Sequence, residues 1–160
     1  MALSWLFPQI VKSAPETTAD GGYSYFDGGL IHYDLEHTSE KYVIRQIFKA
    51  NNKHTGNGRR STAVPPYHYH PYQDELFTVK SGTLCYIVNG KEGRLYRGES
   101  MMSPAGDRHT FWCLPGADED LDVQVTVSGP VNGPGFFDER FTHNFYGSLY
   151  LISSLRVTSD

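Results

Sequence analysis

Two histidines separated by one residue, His68 and His70, lie in a run that reads as extended chain. Residues two apart on a strand point to the same face, so both imidazoles can meet a single ion. Pro71 to Asp74 reads as a turn, after which Glu75 opens a returning strand and brings a carboxylate beside the pair. Far along the chain Pro104-Ala105-Gly106-Asp107 is a second turn signal, and His109 opens the strand that follows it as a fourth ligand. Three neutral imidazoles and one carboxylate suit one divalent ion per chain, Fe(II), Mn(II), Ni(II), Cu(II), Co(II) or Zn(II), and spacing does not choose among them. Around a six-coordinate ion they leave two positions open, which fits catalysis with substrate and dioxygen or water as the remaining ligands. Glu75 is then a candidate catalytic group too, because a carboxylate beside a cation can shift to accept a proton. Asp74 competes for the ligand position, but Glu75 keeps register with Phe77 and Val79 on an apolar, inward face.

Strands must position this quartet. From Gly29 to Val127 short β-branched and aromatic runs alternate with Gly, Pro, Asn and Asp, the pattern of antiparallel sheet, and helical periodicity is absent. Strands are expected at Leu30 to Leu35, Tyr42 to Lys49, Tyr67 to His70, Glu75 to Lys80, Thr83 to Val88, Gly93 to Tyr96, Arg108 to Cys113 and Leu121 to Val127. Asn89-Gly90 supplies the positive φ angles of a tight hairpin. The fold class is all-β, a sandwich, jelly roll or barrel. Phe77, Val79, Ile87 and Phe111 share parity with the ligands or face them from neighbouring strands, which predicts an apolar, aromatic pocket for a hydrophobic small molecule. After Pro134, Phe137, Phe141, Phe145 and Leu149 recur every four residues and put one apolar stripe on a C-terminal helical segment at about 135–156, bent or divided at Gly147. That stripe suits a lid, a dimer contact or packing against the chain's own barrel.

The quartet sits in both signatures of the cupin family, which this chain resembles. The first, His-x-His, four residues, Glu, six residues, Gly, stands as His68-Tyr69-His70, Glu75 and Gly82; the second, Gly, five residues, Pro-x-Gly, two residues, His, stands as Gly98, Pro104, Gly106 and His109. Fifteen residues separate Gly82 from Gly98, as in compact single-domain cupins. The resemblance covers about Val64 to Val127. It implies a jelly-roll β-barrel holding the metal, with core barrel about 29–128 and an N-terminal arm 1–28 in one domain. Two positions depart from the family pattern: Thr62 stands for the usual glycine six residues before His68, and Cys113 for the usual asparagine four residues after His109. Cys113 is placed on the inward face with His109 and Phe111. In a jelly roll the strand after Gly82 runs beside the His109 strand, making Cys85 and Cys113 near neighbours at the pocket wall. The activity most commonly implied is Fe(II)-type dioxygenation of a small aromatic or polyketide-like compound. A redox-neutral decarboxylase, isomerase or cyclase, and a non-catalytic binding protein, stand beside it. Small cupins of this kind also occur in natural-product pathways, often fungal, and such barrels commonly pair through their outer sheets, so a homodimer is expected.

Composition limits other readings. At 160 residues, formal charge -4 and pI near 5.9, the chain has the size of one domain and lacks the extended basic run that nucleic-acid phosphates require. Its two cysteines cannot form a disulfide framework and are expected as free thiols in an intracellular, cytoplasmic setting. The apolar patch from Leu3 to Val11 lacks a basic leader and is interrupted by Pro8 and Gln9, and no segment approaches the roughly 20 apolar residues that cross a bilayer. Ala50 to Ala63 reads as a mobile loop whose Lys53, His54, Arg59 and Arg60 are solvated or close over an acidic substrate. The isolated His32, His37, His54 and His143 read as surface or packing residues.

Overall fold

The computed structural model describes residues 15–130 and 136–157; the Leu3 to Val11 patch and Pro134 lie outside them. The strands are β1 Glu16–Thr17, β2 Tyr23–Tyr25, β3 Leu30–His37, β4 Lys41–Phe48, β5 Asp74–Ser81, β6 Thr83–Val88, β7 Lys91–Tyr96, β8 Ser100–Ser103, β9 His109–Cys113 and β10 Leu121–Ser128, followed by helix α1 Glu139–Val157. Among the described residues they form an antiparallel sheet in the order β1-β2-β3-β4-β10-β5-β8 and a smaller one in the order β7-β6-β9. This is a jelly roll with a C-terminal helix.

Alternation builds the core. Along β10, Leu121, Val123, Val125 and Val127 are buried while the residues between them are not, so one face is apolar and the other wet. Ile44 and Phe48 of β4, Phe77 and Val79 of β5, Leu84 of β6, Leu95 of β7, and Phe111 and Cys113 of β9 complete the cluster. Asn89 (φ 48°) and Gly90 (φ 78°) make the expected hairpin between β6 and β7. Gly82 turns the chain from β5 to β6 at φ +70°, where a Cβ would come within 2.5 Å of the Asp120 carbonyl oxygen. That close approach is the physical reason the first signature ends on glycine.

Three expectations change. Tyr67 to His70 is not a strand but extended chain with one bridge, His68 to His109; Pro65, Pro66 and Pro71 lack the N–H groups that would continue a ladder. The short β1, β2 and β8 carry too few residues to show a pattern. The 50–63 segment is held by internal contacts, with Asp27 meeting His54 at 3.4 Å and Lys53 at 3.2 Å, the Thr55 hydroxyl donating to the Lys49 carbonyl at 2.6 Å and Gly58–Arg60 forming a 3-10 turn; Lys53, Arg59 and Arg60 are exposed as expected, and His54 is buried.

Helix α1 starts on a cap, with the Asp138 carboxylate accepting the Phe141 N–H at 2.7 Å, and runs through Gly147 as one helix. It packs on its own barrel, and its most buried side chains are Thr142 and Tyr146 rather than the predicted phenylalanine stripe. Phe141 is 43% exposed; the stripe lies along the margin of the contact. No helix among the described residues is long and apolar enough to cross a membrane.

Candidate metal centre

Two staples bring the quartet together. His68 and His109 exchange backbone hydrogen bonds, at 3.0 and 2.7 Å, and the Gly106 N–H donates to the His70 carbonyl at 2.8 Å. The turn before β9 is thus clamped to the His-x-His segment, while Glu75 enters from the start of β5. His68 Nε2 lies 3.1 Å from His70 Nε2, and Glu75 Oε2 lies 2.5 Å from His109 Nε2 and 3.6 Å from His70 Nε2. One N or O atom from each of the four falls within 4.8 Å of all the others. Atoms bound about 2.1 Å from a common ion are roughly 3–4 Å apart, so the cluster is close to that spacing.

Tautomers can be assigned from the partners. His68 Nδ1 donates to the Pro66 carbonyl at 2.7 Å, and His109 Nδ1 to the Asp107 carbonyl at 3.0 Å with Ser103 Oγ also at 3.0 Å. His68 therefore turns an Nε2 lone pair toward the centre, the arrangement metal-binding imidazoles need, while His109 Nε2 faces the Glu75 carboxylate. Glu75 Oε2 is buried, and apart from His109 Nε2 at 2.5 Å no donor bonds it. A buried carboxylate oxygen this close to an imidazole nitrogen requires a proton or a cation between them, and that place for a cation is what makes the residues fit a metal.

The electrostatics point the same way. Burial alone would raise the Glu75 carboxyl, but His109, His70 and His68 outweigh it and hold it below the ordinary range. Burial lowers His70 to about 4 and, with the neighbouring His109, also lowers His68. His109 is likewise pushed down by burial, but its contact with Glu75 prevails and raises it. Two neutral imidazoles beside an ionised carboxylate are available to a cation at neutral pH.

The cluster forms one wall of a cavity of about 110 Å³. His68, Glu75 and His109 line it with Phe111, Ile44 and Val125 from the barrel, Pro65 and Pro66 from the extended segment, and Phe137, Phe141, Phe145 and Tyr146 from the helical end. Gln46 is its remaining polar lining residue. Gln73 ties the start of this roof down: its side chain accepts the Phe137 N–H at 2.8 Å and donates to the Phe137 carbonyl at 3.1 Å.

The expected pocket residues fare unevenly. Phe111 lines the cavity. Phe77 supports it from beneath, with its ring centre 5.1 Å from that of Phe111 and 6.0 Å from that of His109, and Val79 and Cys113 lie deeper in the core. Cys85 and Ile87 require correction. The register Leu84↔Cys113, Tyr86↔Phe111, Val88↔His109 puts Leu84, Tyr86 and Val88 on the face of the ligands, so Cys85 and Ile87, paired with Trp112 and Thr110, point the other way. Lys53, His54, Arg59 and Arg60 do not line the cavity. Sequence reasoning missed Gln46, Tyr146 and His143. The signal available was the inward parity of Gln46 with Ile44 and Phe48, where a polar residue on an apolar face marks a buried partner.

Fold and site together carry both cupin signatures and a metal-type ligand set. Residues 60–119 match the family model described as a cupin domain. It is 34% identical over 146 residues to the "Probable oxidoreductase virH" of Hypocrea virens, across 89% of this chain and 63% of that protein. It is 34% identical over 106 residues to the "Epoxidase atD" of Aspergillus terreus, across 65% of this chain and 30% of that protein. The chain thus spans less than two thirds of the length of these curated relatives. The crystal structure of an RmlC-like cupin from Shewanella frigidimarina superposes with TM-score 0.53 at 19% identity, covering 71% of this chain and 88% of that one.

Proposed function

We propose that this cupin is a metal-dependent oxidoreductase, an Fe(II)-type dioxygenase acting on a small aromatic or polyketide-like compound held beside the quartet. The observation that carries the reading is that the ligand cluster is itself a wall of the aromatic cavity, so a bound molecule touches the centre directly. The similarity to proteins named as oxidoreductases and an epoxidase supports it. His68, His70, Glu75 and His109 would hold the ion; when bound, Fe(II) supplies one-electron redox chemistry and Lewis acidity at its open positions. Glu75 offers the buried carboxylate oxygen that takes a proton from a substrate hydroxyl. The phenylalanines of the roof exclude water and stack on a ring, which strengthens every polar contact beneath them.

Oxygen uptake by anaerobically purified protein tests this, after reconstitution with Fe(II) or, separately, with Mn(II), Ni(II), Cu(II), Co(II) or Zn(II). Consumption of dioxygen with phenolic or enolic compounds, dependent on Fe(II) and absent in His109→Ala, is the expected result. Product formed without dioxygen would replace it by a redox-neutral lyase, isomerase or cyclase. Ligand binding with no turnover under any metal would leave a binding cupin.

A further inference from the structure

A second polar cluster leads away from the cavity. Tyr146 and Gln46 line the cavity, and behind them stand His32, Asp34, His143 and Tyr25. Gln46 and His32 are 1% and 0% exposed. Buried polar groups of this kind have their donors and acceptors fixed by one another, so the direction of each hydrogen bond can be worked out from the charged end.

Asp34 is that end. Burial alone would raise its carboxyl, but hydrogen bonds from His143, His32 and Tyr42 outweigh it and hold it well below the usual carboxylate range, so it accepts only. His32 Nε2, 3.0 Å from Asp34 Oδ1, must then carry a hydrogen. Burial pushes His32 below its ordinary value, so the ring is neutral and its Nδ1 is an acceptor. The Gln46 side-chain atom 3.3 Å from that Nδ1 must therefore be the amide nitrogen, and the amide oxygen faces the Tyr146 hydroxyl at 3.4 Å. On the far side His143 Nε2 donates to Asp34 Oδ2 at 2.9 Å and its Nδ1 accepts from the Tyr25 hydroxyl at 2.5 Å. These contacts use the oxygen of Gln46 and one of its two amide hydrogens. The second hydrogen is left on a side chain that lines the cavity.

We propose that Gln46 is a specificity-determining residue of the cavity, donating its second amide hydrogen to a neutral acceptor oxygen, a ketone, quinone or ester carbonyl, on a ring-containing ligand. Asp34 and His32 are positioning residues: the charge fixes the His32 tautomer, and the tautomer prevents the amide from flipping. Among the described residues no lysine or arginine lines the cavity, so the Gln46 end selects an uncharged acceptor rather than an anion. At about 110 Å³ the space is below the order of 150 Å³ that takes benzene, so it holds no more than one ring. Glu75 and Gln46 lie on β5 and β4, separated by β10, with their β10 partners Val127 and Val123 four residues apart. The acceptor oxygen and the atoms that approach the quartet therefore belong to opposite ends of the ligand. The inference rests on the reading that this cavity holds the substrate, and not on the metal.

Its test uses the full chain stripped of metal with EDTA, titrated by calorimetry with acetophenone and with α-methylstyrene, which replaces C=O by C=CH2 at nearly the same shape. The ratio of the two affinities isolates the carbonyl contact. Gln46→Met should lower the ketone-to-hydrocarbon ratio roughly 5-fold, the worth of one neutral hydrogen bond, with hydrocarbon affinity retained. Asp34→Asn, which leaves Gln46 in place, should lower the ratio roughly 3-fold, an effect that a loss of packing alone would not produce. If Gln46→Met does not fold, Gln46→Asn withdraws the donor by one methylene and should give the same direction. An unchanged ratio in a folded Gln46 variant overturns the proposal, as does failure of wild-type protein to bind either probe at millimolar concentration. Metal content of the same variants is measured in parallel. A Gln46 variant that keeps its metal but loses the ratio separates this contact from the metal reading.

Discussion

Asp74 and Glu75 are adjacent acids with opposite surroundings. Glu75 is buried in the quartet, whereas Asp74 is exposed and accepts the Ala105 N–H at 2.7 Å, helping to hold the turn before β9. Glu75→Gln removes both the charge that balances a cation and the proton acceptor, so at equal metal occupancy turnover should fall by roughly 100-fold or more. The metal-free protein should lose stability as well, by about 1–3 kcal/mol, because the buried contact with His109 loses its charge. Asp74→Asn should leave turnover nearly unaltered; if it abolishes activity and Glu75→Gln does not, the ligand is the wrong neighbour. The two cysteines, free and buried on opposite faces, should both react in thiol titration under denaturing, non-reducing conditions, and a count near zero would contradict that placement. The quartet was legible in the sequence because each ligand is set by a local turn and by strand parity. Cys85 and Ile87 were not, because their facing depends on the register between β6 and β9, which residues far apart in the chain decide together.

At the scale of elements, the strands were legible from alternation and turn residues, and the helix from its four-residue repeat. What the repeat did not show is which side of α1 meets the barrel. The buried side is set by polar partners: Tyr146 reaches Gln46, and His143 reaches Asp34 and Tyr25, so the helix turns Thr142 and Tyr146 inward and leaves its phenylalanines to roof the cavity. This attachment is acid-sensitive in one direction. Folding depresses His32, so below about 6.5 the unfolded chain takes a proton that the folded chain refuses; folding also depresses Asp34, so the same holds below the ordinary carboxylate value of 3.8. In both ranges the unfolded state binds more protons, and stability falls as pH falls. Protection of the α1 amides against hydrogen exchange, corrected for their intrinsic rates, should therefore fall between pH 7 and pH 3. Asp34→Asn should cost about 2 kcal/mol at pH 7 and flatten the dependence below pH 4. An α1 whose exchange follows only the intrinsic pH dependence of amides would contradict the coupling.

In the whole molecule a rigid barrel, a cluster of potential ligand atoms around a buried carboxylate, and an aromatic roof enclose one cavity. The barrel was legible because both cupin signatures stand within one short stretch, while the cavity was not, since its roof comes from a helix far from them in sequence. A metal that binds only the folded chain stabilises it, by about 2.7 kcal/mol at a concentration 100 times its dissociation constant, so thermal unfolding should shift upward with added ion and back with chelator. The most direct measurement is elemental analysis of the purified protein beside a His68→Ala, His70→Ala double variant. About one divalent ion per chain in the wild type and nearly none in the variant is the predicted result, because strand and turn hold the remaining ligands too rigidly to replace the missing pair. Stoichiometric metal retained by the double variant would contradict the quartet as the metal site.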